Sequence, residues 1–110
     1  MQLEFFKYHG AGNDFIMFDC RNLDESFFNQ GIVAFLCNRH LGIGDDGLIL
    51  LLKDHKADFR MKYFNSDGKE GTMCGNGGRC IAEFAKDLGI ISESELFNGI
   101  DGLHKAFLLR

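Results

Sequence analysis

The 110-residue chain has no proline and no tryptophan, and it has only four cysteines. Cysteines this few and this scattered do not build the disulfide framework of a small secreted domain, so we expect reduced thiols and a cytoplasmic location. No apolar run approaches the length of about 18 residues that a membrane-spanning helix needs, and the N-terminal MQLEFFKYHG lacks the pattern of a signal peptide. With 16 acidic and 12 basic residues, the net charge of −4 argues against the basic surface of a nucleic-acid-binding protein. We therefore expect neither a membrane nor a nucleic acid as partner.

Glycine and phenylalanine are abundant, with 14 and 12 residues respectively. Hydrophobic residues make up 45% of the chain, which is enough for the core of one domain spanning residues 1–110. The glycines are clustered, so we expect them at junctions where the backbone turns or approaches another group closely. The clusters are Gly10 and Gly12; Gly42, Gly44 and Gly47; and Gly75, Gly77 and Gly78.

The pattern of apolar residues predicts an α+β fold. A continuous apolar run at 47–53 is typical of a strand buried on both faces, and the alternation at 57–65 indicates a second strand that pairs with it through KDHK. Apolar residues at helical spacing predict a helix over 77–89, with Gly89 as its C-terminal stop. The predicted elements are strands at 2–8, 14–20, 47–53 and 57–65; helices at 77–89 and at 29–40, the latter with an apolar face of Ile32, Val33, Phe35 and Leu36; and a hairpin over 95–110 that turns at Asp101-Gly102.

The segment from Asn65 to Cys80 carries the most chemistry. Cys74 stands just before the predicted helix, and the first turn of a helix has unpaired N–H groups and the positive end of the dipole. A thiolate is stabilised there, so its pKa falls towards neutrality. The glycines that begin at Gly75 let the backbone approach an anion, and Asn76 can act as N-cap or as a donor to a substrate. The pattern predicts an activated thiolate beside a site of carboxylate size.

Other interpretations of this segment remain open. A cysteine before a helix is often a small buried hydrophobe. The GNGG run resembles half of a dinucleotide-binding fingerprint, but no βαβ unit with a well-placed acidic residue accompanies it. Zinc is poorly supported, because Cys74 and Cys80 are not in a CxxC motif and no paired histidine motif joins them, so we expect no metal. Cys80, Cys20 and Cys37 lie in apolar contexts, which predicts packing roles.

Two further glycine-containing segments are ambiguous when each is taken alone. HGAGNDF, at 9–15, can be a turn between two strands. RHLGIGDDG, at 39–47, can be a helix C-cap followed by a loop.

The three segments together resemble the N-terminal half of diaminopimelate epimerase. HGAGNDF, RHLGIGDDGL and FNSDGKEGTMCGNGGRC occur in the order and spacing of that family, and the likeness runs from about residue 5 to residue 90. The IDGLHKA segment near the C-terminus is similar to the family's next segment. The resemblance implies a curved, largely antiparallel sheet wrapped around the 77–89 helix, an α/β (α+β) fold.

The resemblance also implies an activity and a set of site residues. The reaction is cofactor-independent epimerisation of the amino acid diaminopimelate, with one cysteine on each face of the α-carbon. Cys74 matches one cysteine of that pair. Gly75 and Asn76 would hold the reacting carboxylate, and Asn13 and Asn65 would be substrate-binding amides. No cofactor is implied.

The chain departs from the family pattern in two respects. Many members carry glutamine where this chain has Gly47. The family's polypeptide is more than twice as long, with two similar halves, and its second catalytic cysteine belongs to the half that is absent here. We therefore expect residues 1–110 to be an N-terminal domain that is inactive alone and self-associates, for example as a homodimer. The alternatives are a related amino-acid racemase or isomerase, and a non-catalytic truncated binding or assembly module.

Overall fold

The computed structural model describes residues 4–10, 12–54, 59–71, 75–90, 94–99 and 102–107. Within these ranges the chain forms seven β-strands, two α-helices and a short 3-10 helix at Glu25–Phe27. The strands are β1 (Phe6–Gly10), β2 (Asn13–Asp19), β3 (Gly47–Leu52), β4 (Phe59–Asn65), β5 (Glu70–Gly71), β6 (Ser94–Gly99) and β7 (Gly102–Phe107), and the helices are α1 (Gln30–Cys37) and α2 (Gly75–Asp87).

The strands form one mixed sheet in the order β1-β2-β3-β4-β6-β7, with β5 paired to β4. The β2–β3 and β4–β6 pairs are parallel, and the other four pairs are antiparallel. Helix α2 contacts both outer strands, β1 and β7, as well as β2 and β3 between them. The sheet therefore curves around α2, and the predicted fold class is confirmed.

Buried side chains of the sheet alternate between its two faces, as the pleat of a strand requires. The face towards α2 has a core of ten buried residues, and the face towards α1 has a core of ten others. Strand β3 is buried along its whole length, which confirms the prediction from its continuous apolar run. The α2 face holds Phe15, Met17, Ile49, Leu51, Phe59, Met61, Cys80, Ile81, Phe84 and Ala85; the α1 face holds Ile16, Phe18, Cys20, Phe28, Val33, Cys37, Leu48, Leu50, Leu52 and Phe64.

Helix α1 is shorter than the predicted helix at 29–40. It begins after Asn29, whose Oδ1 accepts the Ile32 N–H at 2.9 Å, and it ends at Cys37. The next residue, Asn38, stops the helix because its side-chain oxygen accepts hydrogen bonds from the backbone N–H groups of His40 and Leu41. Such local bonds compete with a helix. Arg39 and His40 consequently lie beyond the helix rather than in its last turn.

The buried face of α1 also differs from the prediction. Val33 and Cys37 are its buried residues, whereas Phe35 is 52% exposed. Residues four apart lie on one face of a helix, and Val33 and Cys37 obey that spacing. Of the predicted face, Val33 is buried and Leu36 packs partly buried against the same core, whereas Phe35 points to solvent.

Several strands begin or end at residues that differ from the predicted bounds. Gly10 pairs with Asn13, so the β1–β2 connection is two residues long, and Gly12 has a φ of +93° that glycine adopts without strain. Gly102 pairs with Gly99 inside the predicted C-terminal hairpin, so Gly102 belongs to a strand and not to the turn. Predicted strand or hairpin residues at 2–3, 57–58, 100–101 and 108–110 lie outside the described residues.

Helix α2 starts two residues before the predicted 77 and ends at Asp87, two residues before the predicted 89. Gly89 has a φ of +79°, its N–H donates to the Lys86 carbonyl, and the Ile90 N–H donates to the Ala85 carbonyl. This pair of bonds is the Schellman arrangement that closes a helix with a left-handed glycine. The prediction of Gly89 as the stop is confirmed.

Candidate functional site

Two of the predicted site residues, Asn13 and Asn65, lie at one end of the sheet, on the strands that flank Gly47 of β3. Phe15 of β2 pairs with Gly47 at the start of β3, and Gly47 pairs with Asn65 at the end of β4. Asn13 is the first residue of β2, two positions ahead of Phe15. We call this end, marked by Asn13, Gly47 and Asn65, the site end of the sheet. The sheet register therefore brings together amides that lie far apart in the sequence.

Asn65 is the exposed last residue of β4. Its backbone N–H donates to the Lys69 carbonyl at 2.9 Å, and its Nδ2 lies 3.5 Å from the same oxygen. Gly71 of β5 runs alongside, and a Cβ there would lie 2.8 Å from Asn65 Nδ2. Glycine at 71 thus leaves room for the Asn65 amide beside the strand that leads towards Cys74.

The turn that follows Asn65 packs on the start of α1. Gly68 is buried with a φ of +87°, and a Cβ on it would lie 2.1 Å from the Gln30 carbonyl oxygen. A side chain is therefore excluded at position 68 by a backbone atom. The contact fixes the position of the 66–69 turn, from which the chain continues through β5 to α2.

The start of α2 lies within a short chain distance of the site end. Gly71 pairs with Tyr63 of β4, and α2 begins at Gly75, four residues later. Four residues span at most about 14 Å. Asn76 lies inside the first turn of α2, so its N-cap role is wrong, because an N-cap precedes the first helical residue. Cys74, the residue before Gly75 in the sequence, lies outside the described residues.

Gly47 departs from the family pattern for a packing reason. A Cβ at position 47 would lie 2.9 Å from Tyr63 Cε1, 3.0 Å from Tyr63 Oη and 3.0 Å from the Phe64 carbonyl oxygen. The Tyr63 ring therefore fills the space next to the Gly47 backbone. A glutamine at this position would require Tyr63 to move.

A charged cluster, which we define as Lys7, Asp14, Arg39, Asp45 and Asp46, joins the β1–β2 hairpin to the 38–46 loop. The Asp14 N–H donates to Asp46 Oδ2 at 3.0 Å, and the Asp46 N–H donates to Asp14 Oδ1 at 3.2 Å. Arg39 Nη2 lies 3.0 Å from Asp46 Oδ1 and 3.5 Å from Asp14 Oδ1. Hairpin and loop are thus held by reciprocal bonds next to Asn13, whose Nδ2 is 3.5 Å from Asp46 Oδ2.

Asp45 is the buried member of the charged cluster. Its side chain has no exposed area, and Lys7 Nζ lies 3.5 Å from its Oδ1. Burial and the neighbouring Asp14 carboxylate raise the pKa of Asp45 to about 7. Hydrogen bonds from its neighbours lower the pKa of Asp14 to about 2. The two carboxyl groups are therefore in different protonation states over a wide range of pH.

The described cysteines are core residues, as predicted. Cys20, Cys37 and Cys80 are buried. Burial raises the pKa of Cys20 to about 12 and that of Cys37 to about 11. Both thiols are therefore protonated and unreactive near neutral pH.

The charged cluster is the feature that sequence reasoning missed. The doubled aspartate in Gly44-Asp45-Asp46-Gly47 is its only local signal. Lys7, which pairs with Asp45, lies 38 positions before it in the sequence, so only the register of the sheet reveals this ion pair. Among the residues that the structure describes, no group of three or more His, Cys, Asp or Glu side chains is arranged to hold a metal, and no helix is long and apolar enough to cross a membrane.

The diaminopimelate epimerase family model matches residues 5–101, which is most of the chain. The chain belongs to the diaminopimelate epimerase family. A diaminopimelate epimerase of Flavobacterium psychrophilum is 53% identical over 104 residues, covering 94% of this chain and 41% of that relative. One from Alkaliphilus metalliredigens is 45% identical over 111 residues, covering 96% of this chain and 39% of the relative. The chain thus spans about two fifths of the length of these family members.

Solved structures of this fold include a PhzF-family phenazine biosynthesis protein of Enterococcus faecalis, with a TM-score of 0.78 at 14% identity. The likeness covers 100% of this chain and 42% of that one. A methylitaconate-delta-isomerase has a TM-score of 0.74 at 15% identity and covers 96% of this chain and 58% of that one. At these identities the likeness shows that this chain has the same fold as these proteins.

Proposed function

We propose that this chain supplies one half of a cofactor-independent diaminopimelate epimerase site that converts the LL-isomer to the meso-isomer. The observation that carries the proposal is the register that aligns Phe15, Gly47 and Asn65, which puts Asn13 and Asn65 at the same end of the sheet. Membership of the epimerase family and the names of the relatives support the substrate. The site would lie between this domain and a second domain of the longer family members.

The proposed mechanism uses one thiol on each face of the α-carbon. Cys74, as thiolate, takes the α-proton, and the electron pair left on carbon is delocalised into the substrate carboxylate. A second thiol, from the other domain, gives its proton to the opposite face, which inverts the centre. Gly75 and Asn76 in the first turn of α2 would hold the carboxylate, where unpaired N–H groups stabilise the added negative charge. Asn13 and Asn65 would hold the substrate by their amides.

The mechanism predicts that the 110-residue chain alone does not turn over diaminopimelate at a useful rate. Each correctly placed acid or base contributes about 10²- to 10⁴-fold to the rate. One thiol cannot act on both faces of the α-carbon. The three described cysteines cannot replace the second thiol, because they are buried in the two cores.

A chimera tests the proposal. The matched N-terminal segment of the Flavobacterium psychrophilum relative is replaced by this chain, and the product is assayed for epimerisation and for α-proton exchange in deuterated water. We expect activity from the chimera and loss of activity in Cys74→Ala. Cys37→Ala, which removes a buried thiol, is the matched control and is expected to remain active.

The chimera also separates the alternatives. A folded chimera that racemises another amino acid but leaves diaminopimelate unchanged would favour a related racemase or isomerase. A folded chimera that binds diaminopimelate without exchange of its α-proton would favour a binding module. Protection of Cys74 from iodoacetamide by diaminopimelate supports the proposed position of the thiol, and equal labelling with and without diaminopimelate contradicts it.

We also propose a cytoplasmic location and self-association as a homodimer. Catalysis by free thiols needs a compartment that keeps cysteines reduced. A domain that supplies half of a site presents a surface suited to a second, similar half, and such surfaces bury about 600–1,500 Å². Sedimentation equilibrium of the 110-residue chain measures this directly, and a monomer that persists at about 100 μM contradicts it.

A further inference from the structure

Asp45 is buried in a way that the proposed reaction does not explain. Its side chain has no exposed area, and its carboxylate oxygens accept no hydrogen bond from the residues that the structure describes. Its backbone is fixed, because its own N–H donates to the Cys37 carbonyl at 3.2 Å and the Gly44 N–H donates to the Leu36 carbonyl at 3.0 Å. Asp45 therefore cannot reach solvent unless the loop moves.

The charges around Asp45 balance only when it is protonated. Lys7 from β1 and Arg39 from the 38–46 loop are the two cations, and Asp14 from β2 and Asp46 are two carboxylates. The thiol of Cys37, from α1, has a raised pKa and is uncharged. When Asp45 is ionised, three carboxylates face two cations, and the charged cluster has one excess negative charge. A protonated Asp45 can instead donate its hydrogen to Asp14.

The charged cluster is connected to the site end through Asp46. Lys7 Nζ lies 3.5 Å from Asp45 Oδ1 and 3.9 Å from Asp14 Oδ2, so the two carboxyl groups share one ammonium group. Three hydrogen bonds join Asp14 and Asp46, two of them through a carboxylate, and Asp46 Oδ2 also faces the Asn13 amide. A change of charge at Asp45 therefore reaches Asn13 through a continuous set of contacts.

We propose that Asp45 is a positioning residue, and that the protonation state of its buried carboxyl group controls, through Lys7, Asp14 and Asp46, how firmly the Asn13 amide is held at the site end. This inference rests on the proposed function only in assigning Asn13 to the substrate. Protonation leaves the charged cluster balanced and the Asp14–Asp46 bonds intact. Ionisation draws Lys7 towards Asp45, adds repulsion at Asp14 and loosens Asn13. A midpoint near neutrality follows from the raised pKa of Asp45.

The test follows the Asn13 side-chain amide by NMR in the isotope-labelled 110-residue chain, from about pH 5 to about pH 9. We expect its resonances to titrate near neutrality in the wild type and to become pH-independent in Asp45→Asn. Asp24→Asn, the same substitution at an exposed cap of the 3-10 helix, is the matched control and should keep the titration. A flat wild-type profile, or an unchanged titration in Asp45→Asn, overturns the proposal.

Lys7→Gln provides a second, independent variant if Asp45→Asn does not fold. Lys7 favours the ionised form of Asp45, so its removal should move the Asn13 midpoint upward. An unchanged midpoint contradicts the proposal.

The active chimera distinguishes this inference from the proposed function. Its KM is expected to rise about three- to tenfold between about pH 6 and about pH 8.5, with kcat less affected, and Asp45→Asn should flatten the KM profile. An inactive chimera together with a titrating Asn13 refutes the function and leaves the coupling in place. An active chimera together with Asn13 amide resonances that do not change with pH refutes the coupling alone.

Discussion

The two faces of the sheet are covered to very different extents. On the α2 face a 13-residue helix buries Cys80, Ile81, Ala82, Phe84 and Ala85, and both outer strands curve towards it. On the α1 face an eight-residue helix buries only two of its residues. An open cavity of about 260 Å³ remains on the α1 face, and it is lined by Phe5, Phe18, Phe27, Ile32, Phe35, Leu36 and Ile43.

The two helices are held by different kinds of contact. Helix α2 is tied to β1 near its C-terminal end, where Phe84 packs on Phe6 and Tyr8 and the Tyr8 hydroxyl donates to Asp87. Its first turn carries the proposed carboxylate-binding residues. Helix α1 instead supports loops through backbone contacts, such as that between Gln30 and Gly68. We therefore expect side-chain truncation to be most costly on the α2 face and backbone changes to be most costly next to α1.

Phe84→Ala tests the α2 face and has the largest expected effect. Phe84 is 1% exposed, and its ring centroid lies 5.0 Å from that of Phe6 and 5.6 Å from that of Tyr8. Loss of a buried phenylalanine costs about 3–5 kcal/mol of unfolding free energy. The matched control is Phe35→Ala on α1, which is half-exposed and should cost about 1 kcal/mol or less. Urea titration of both variants measures the difference, and equal losses would show that the faces are equally packed.

Gly68→Ala tests the backbone contact next to α1. The new methyl group would need a left-handed backbone and would approach the Gln30 carbonyl oxygen to 2.1 Å, so we expect a loss of about 2–4 kcal/mol. Gly89→Ala shares the left-handed φ, but no described atom lies within 4 Å of its Cβ, so it should cost only about 1 kcal/mol. Thermal unfolding of both variants separates the steric cost from the conformational cost. A Gly68→Ala variant as stable as Gly89→Ala would contradict the close approach.

The raised pKa of Asp45 predicts that the stability of the chain depends on pH. Its pKa is raised from 3.8 to about 7 by burial, so the folded state holds the proton more tightly than the unfolded state does. The unfolding free energy should therefore fall as the pH rises from about 4 to about 7, and it should change little above that range. Asp45→Asn should remove this fall and stabilise the chain at about pH 8, by up to about 4 kcal/mol.

Urea titrations at several pH values measure the effect of Asp45→Asn. Asp24→Asn is again the control, because Asp24 is an exposed cap and asparagine caps equally well. If the wild type and Asp45→Asn lose stability in parallel between about pH 4 and about pH 7, the buried carboxyl group is not the cause.

Much of this architecture was predictable because its causes are local. The run Gly47-Leu-Ile-Leu-Leu-Leu52 had to be buried on both faces, and Gly89 had to end α2, since each depends on neighbouring residues alone. The end of α1 at Cys37 was missed, although Asn38 supplied the signal, because helical periodicity continues past it. Local chemistry that competes with a periodic pattern is the weak point of such reasoning.

The candidate site was only partly predictable because its causes are non-local. Glycines and amide side chains in the sequence pointed to Asn13, Asn65 and the start of α2, and the sheet register puts Asn13 and Asn65 at one end. No residue near Asp45 in the sequence indicates its contact with Lys7, because that contact depends on the pairing of β1 with β2 and of β2 with β3. The fit of Gly47 to Tyr63 likewise appears only when β3 and β4 are in register.

Asn29→Ala gives the smallest expected effect and sharpens the contrast between the two helices. Asn29 Oδ1 accepts the Ile32 N–H at 2.9 Å, so alanine leaves the first turn of α1 uncapped and should cost about 1 kcal/mol. Asn29→Asp keeps the acceptor and is the control. Because α1 buries only two side chains, its residual stability is low, and amide hydrogen exchange should rise in α1 while α2 remains protected. Equal rises in both helices would show that the two faces unfold as one unit, and the comparison between them would then describe packing but not local stability.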